Sequence, residues 1–119
     1  MLVIKVEPGK AAYATDIDAG LESLQAQVGG YIQAVYPWKD KAAIICNDEG
    51  KVDGLPLNRA LRDSRGKIYD AIAGTFLVVG LGEESFCDLT EEQTVTYGNL
   101  FRRPEEFLVI GKRIVAVPA

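Results

Sequence analysis

Residues 47–61 read NDEGKVDGLPLNRAL, and they carry two turn signals and a proline between apolar segments. Ala42 to Cys46, AAIIC, enters this stretch as a run of strand length. Gly50 is placed to take a positive φ at the end of a hairpin loop, and Asp53-Gly54 marks a second turn. Pro56 fixes its own φ and biases Leu55 toward extended geometry. Asn58 then stands where an N-cap belongs, ahead of a short helix, RALRD. A helix start offers free N–H groups and a positive dipole end, which suit an anion. Arg59 and Arg62, three apart, share one face of that helix. Two readings follow. Asn58, Arg59 and Arg62, with Asn47 and Glu49 nearby, form a pocket for a phosphate or carboxylate. Alternatively the segment is a capped surface turn whose arginines pair with Asp48, Glu49 or Asp63, the commoner fate of charged turns.

Outward from this stretch the elements are short and mixed. Leu2–Val6 reads as a strand, and Tyr13–Ile17 pairs back onto it across the Glu7–Lys10 turn. Asp18 caps a helix through LESLQAQV, with Leu21, Leu24 and Val28 on one face, and Gly29-Gly30 stops it. Tyr31–Trp38 alternates as a strand that reaches a sheet edge or terminus at Pro37. Ile68–Leu81 is the longest apolar run and reads as a strand, with Gly74 as a bulge or close-approach point. Thr90 and Gln93 form a capping box for a helix toward Phe101. Phe107–Ile110 and Ile114–Val117 flank Gly111-Lys112-Arg113 as a hairpin or an extended tail. The expected fold is a single compact α+β domain over residues 1–119, mostly antiparallel, with two main helices and one short helix.

Composition narrows the chemistry. The 119 residues include no histidine, so Ser-His-Asp and Cys-His catalysis are excluded along with the commonest metal ligand. A net charge of −4 argues against broad binding to nucleic-acid backbones. Cys46 and Cys87 read as free thiols of a cytoplasmic protein. The N-terminal residues lack a signal-peptide core, and no apolar run reaches transmembrane length. Asp16/Asp18 and Asn47/Asp48/Glu49/Asp53 are acid clusters without Ca²⁺-loop spacing, so no metal and no cofactor is expected. Gly74, Gly80 and Gly82 lack the spacing of a phosphate loop. Asp70, inside an apolar run, needs solvent or a partner such as Arg59. Tyr31, Tyr36 and Trp38 are stacking surfaces for a base, or core and edge aromatics, the commoner use.

The order VEPGK, GGYIQAVYP, CNDEGKVDGLPLNRAL, AGTFLVVG and FRRPEEF resembles a family of small uncharacterised domains carried by bacteriophages, conjugative transposons and their bacterial hosts. The resemblance runs from about Ile4 to Phe107 and leaves GKRIVAVPA outside. It implies an accessory role, and counter-defence is a frequent one on such elements. The expectation is therefore a non-catalytic, self-associating cytoplasmic protein that sequesters a nucleotide-like or other anionic molecule. Asn58 and Arg59 would hold its oxygens, and Tyr36 or Tyr31 would stack on its base. The alternative is an inhibitor that docks on a host defence nuclease or restriction complex, with the C-terminal strand and Arg102-Arg103 at the interface. A histidine-free hydrolase built on Glu49, Asp53 or Asp70 ranks last.

Overall fold

The computed structural model describes residues 1–119. Its centre is an antiparallel sheet formed by β1 (Leu2–Val6), β2 (Tyr13–Asp16), β3 (Ile32–Val35), β4 (Ala42–Asn47) and β7 (Phe76–Leu81), in the order β2-β1-β7-β4-β3. The short β8 (Phe86–Cys87) adds to β7 by pairing Leu81 with Phe86 and Gly80 with Cys87. Alternation divides the side chains of the central strands between two cores. Val3, Ala43, Ile45, Leu77 and Val79 face α1 (Leu21–Val28), which buries Leu24 and Val28 against them. Ile4, Val6, Ala42, Ile44, Phe76 and Val78 face the other way, toward α2 (Glu91–Leu100) and a hairpin of β5 (Leu57–Arg62) and β6 (Ile68–Ala73). A last hairpin, β9 (Glu105–Ile110) with β10 (Arg113–Pro118), lies beside β5. The molecule is a mostly antiparallel α+β domain with cover on both faces of its main sheet.

Local signals account for the helix ends. Thr90 Oγ1 accepts from the Gln93 backbone N–H and the Gln93 side chain accepts from the Thr90 N–H, which completes the capping box. Gly29 closes α1 in the left-handed region at φ 79°, its N–H donating to the Gln25 carbonyl. Gly20, rather than Asp18, holds the N-cap position of α1.

Three of the expected elements take another form. The short helix at Arg59–Asp63 is the strand β5, paired with β6 from Leu57↔Ala73 to Arg62↔Ile68. One isolated turn of helix cannot satisfy a buried backbone, whereas a ladder to β6 does. The run Ile68–Leu81 is two strands in different sheets. The chain leaves the β5–β6 hairpin at Gly74, φ 78°, and enters the central sheet as β7. The strand expected over Tyr31–Trp38 ends at Val35, and Trp38 turns in to pack on Tyr97 with ring centroids 4.3 Å apart. Gly50 also keeps a negative φ. It is needed because a Cβ there would stand 2.9 Å from the Ala73 carbonyl oxygen.

Gly74 and Gly66 have nearly the same φ, 78° and 79°, but only at Gly74 would a Cβ collide, 2.8 Å from Leu55 Cδ1. Gly66→Ala should therefore cost about 1 kcal/mol of backbone strain alone. Gly74→Ala should cost somewhat more, about 1–2 kcal/mol, because the end of the Leu55 side chain must also swing aside. Urea unfolding of the two variants checks the difference; equal losses would contradict the packing described at Leu55.

Candidate functional site

Asn58 and Arg59 are almost wholly inaccessible, at 0% and 1% exposure. Asn58 Nδ2 donates to the carbonyls of Val6 and Gly74, each at 2.9 Å, so its side chain spans from β1 to the β6–β7 turn. Arg59 Nε donates to the Phe101 carbonyl at 3.1 Å, and Nη2 donates to the same oxygen at 2.9 Å and to Lys10 O at 2.6 Å. Nη1 donates to Asn58 Oδ1 at 2.8 Å and to Asn58 O at 3.2 Å. Every N–H of the guanidinium is thus engaged inside the protein. Burial lowers the Arg59 pKa from its ordinary value, and the nearby Glu105 carboxylate opposes that shift. Arginine stays protonated under such a shift. Phe101 caps the C-terminal end of α2, where a cation complements the helix dipole. The expected anion seat therefore has neither its helix start nor a free donor from Asn58 or Arg59.

The other expected site residues scatter. Arg62 Nη2 pairs with Glu105 Oε2 at 2.6 Å, and Glu105 Oε1 also accepts from the Ala60 N–H at 3.0 Å, which clamps β9 to β5. Asn47 donates from Nδ2 to Val28 O and accepts from the Glu49 N–H at 2.8 Å, forming a turn at the end of β4. Tyr31 reaches the same turn, since its carbonyl accepts from the Asp48 N–H. Asn47, Glu49 and Tyr31 are thus brought together at one end of β3. Tyr36 lies past the other end, 61% exposed, and Arg62 lies on the β5–β6 hairpin. Asp70 pairs with Lys51 rather than with Arg59.

Surface concavities and charge point elsewhere. The largest cleft, about 710 Å³, opens on the α1 face between Leu21, Leu24, Ile32, Tyr36, Leu81 and Phe86, with Glu83 and Glu84 at its edge. No Lys or Arg lines it. A second cleft, about 610 Å³, lies between the tips of the two hairpins, where Ile68, Ile110, Ile114 and Val115 are flanked by Lys67 and Arg113. Residues 57–73 and 101–119, the two hairpins and the link before the second, carry eight Lys/Arg, seven of them besides the buried Arg59, against four Asp/Glu. The rest of the chain carries five against thirteen. Leu108, Val109, Ile110 and Ile114 are exposed on the same end, Val109 at 75%. The whole-chain charge of −4 conceals this polarity. Counting charges segment by segment exposes it; sequence reading missed it because only the fold shows which segments meet.

These features define a class: a single-domain α+β protein of three sheets with a charge-polarised surface and one end formed by paired hairpins. A family model described as Domain of unknown function (DUF3846) matches residues 1–102, and the chain belongs to that family. The matched segment stops before β9, so the β9–β10 hairpin lies outside it. No curated protein and no solved structure gives a significant match.

A polar network joins α2 to the β3–β4 connection. Asp40 Oδ2 accepts from Tyr97 Oη at 2.6 Å, and its carboxylate also accepts from Gln93 Nε2 and the Lys41 N–H. The Tyr97 hydrogen bond, helped by Gln93 and Lys41, lowers the Asp40 pKa below 3.8. Burial, then the Asp40 hydrogen bond, raises that of Tyr97. A carboxylate whose pKa falls on folding stabilises the fold above its unfolded value and loses that contribution as pH drops through the folded value. Asp40→Asn should accordingly lower stability at neutral pH and narrow the gap to wild type below pH 3.8. Melting temperatures across that range check it; a gap independent of pH would contradict the assignment.

Proposed function

We propose that the chain is a non-catalytic binding protein that docks an acidic, apolar-bearing protein surface through its paired-hairpin end. The observation that carries this reading is the coincidence of exposed Leu108, Val109, Ile110 and Ile114 with Arg65, Lys67, Lys112 and Arg113. None of those four cations has an ion-pair partner. Apolar anchors beside four cations, against the single acid Asp63 at the β5–β6 turn, suit a complementary partner: the charges steer encounter and the apolar groups hold the contact. The setting implied by the family resemblance, phages and conjugative transposons, makes a host defence nuclease or restriction complex the natural partner, blocked by occupation of an acidic face.

Capture of an anionic small molecule has one supporting feature, the Lys67–Arg113 cleft. No aromatic ring lines that cleft, so a base would find no stacking platform there. Random peptides selected on the immobilised protein, with Arg65→Glu/Lys67→Glu/Lys112→Glu/Arg113→Glu as the counter-selection, test the reading. An acidic consensus with leucine-like anchors is expected, with binding at least about tenfold weaker to the variant. Enrichment that ignores the charge reversal would overturn it. So would a specific thermal shift with nucleotides, cyclic dinucleotides or ADP-ribose.

A further inference from the structure

The two clefts are complementary in both respects that matter to docking. The α1-face cleft has apolar walls and an acidic edge, and its acids are held in place by the fold. Leu81 pairs with Phe86 across β7 and β8, and the Gly82 N–H donates to the Ser85 carbonyl at 2.9 Å. That tight turn sets Glu83 and Glu84 beside the apolar Leu81–Phe86 pair at the cleft mouth. Neither acid has an ion-pair or side-chain hydrogen-bond partner within the chain. Leu21 and Tyr36, on the walls, are more than half exposed.

The β9–β10 tip is the converse shape and charge. Ile110 pairs with Arg113, and Gly111 at φ 63° lets the chain reverse through Gly111-Lys112. A narrow turn thus carries two cations between Ile110 and Ile114, both at least half exposed. We propose that the tip of one copy, Ile110–Ile114, seats in the α1-face cleft of another. Lys112 and Arg113 then meet Glu83 and Glu84, and Ile110 and Ile114 meet Leu21, Tyr36 and Phe86. α1 and the β5–β6 hairpin cover opposite faces of the central sheet and β9–β10 lies beside β5, so each copy offers one surface of each kind. The contact is heterologous, and copies join head to tail. A single turn buries less than the roughly 800 Å² per partner of a standard interface, so association is weak, concentration-dependent and salt-sensitive. This inference goes beyond partner docking, because it needs only these two surfaces of the chain itself.

Sedimentation velocity over a concentration series tests it. Wild type should gain mass with concentration and lose that gain in high salt. Glu83→Lys/Glu84→Lys and Lys112→Glu/Arg113→Glu should each remain monomeric. Mixing them restores two complementary contacts, native tip to native cleft and reversed tip to reversed cleft, so the mixture should associate although neither variant does alone. The chain carrying all four reversals should associate again. A wild type that stays monomeric throughout, or two reversed variants that fail to pair on mixing, would overturn the proposal. Peptide binding separates this outcome from the docking reading: Glu83→Lys/Glu84→Lys keeps the hairpin end and should bind acidic peptides as wild type does.

Discussion

The buried Arg59 guanidinium is the interaction on which the layers depend. It lies where the hairpin β5–β6, the end of α2 and the loop after β1 meet, and it donates to a carbonyl of each neighbour. Asn58 extends the same network to Val6 and Gly74. Phe101 caps α2, and Lys10 and Gly74 lie outside the strands. An apolar residue in place of Arg59 would leave the Phe101 and Lys10 carbonyls without their donor, at about 1–3 kcal/mol each. Glu105, whose carboxylate acts on Arg59 through space, binds Arg62 and the Ala60 N–H instead. The cation is therefore held by dipoles, including the C-terminal dipole of α2.

This arrangement separates support from recognition. Asn58 and Arg59 face inward and join the layers, and Arg62, Arg65, Lys67, Lys112 and Arg113 stand on the two hairpins. An acidic body with a basic, apolar end follows from which segments the node brings together. Arg62 and Glu105 fasten β9 to β5, so the hairpin beyond the family-matched segment becomes part of the same end. Both proposed interactions, with a partner and between copies, use surfaces the node positions without contributing a side chain to them.

The residues that read clearly in sequence are those whose partners are close in the chain. Thr90 with Gln93, Gly29 after Val28, and the Leu2–Asp16 pairing across a short turn all have local causes. Asn58 misleads for the opposite reason. An asparagine before Arg-Ala-Leu-Arg has the local chemistry of an N-cap, and only the distant Val6 and Gly74 carbonyls and the β6 ladder make it a strand residue. Gly74 was legible as a special point, but not as the step between two sheets. At the candidate site, Arg59 stood out from its neighbours, yet burial is a tertiary property that the sequence does not display. Arg62, Asn47 and Glu49 read as one cluster because they are near in sequence; Asn47 and Glu49 do share a turn, but Arg62 is carried to Glu105.

Urea unfolding of Arg59→Met, Asn58→Ala and the double variant tests the central claim most directly. The account predicts that Arg59→Met costs about 3 kcal/mol or more, since a buried charged hydrogen-bond network is broken. It also predicts that the two substitutions couple by about 1 kcal/mol or more, because Asn58 Oδ1 and Arg59 Nη1 share a bond. A loss within about 0.5 kcal/mol, as for an ordinary surface arginine, would contradict it.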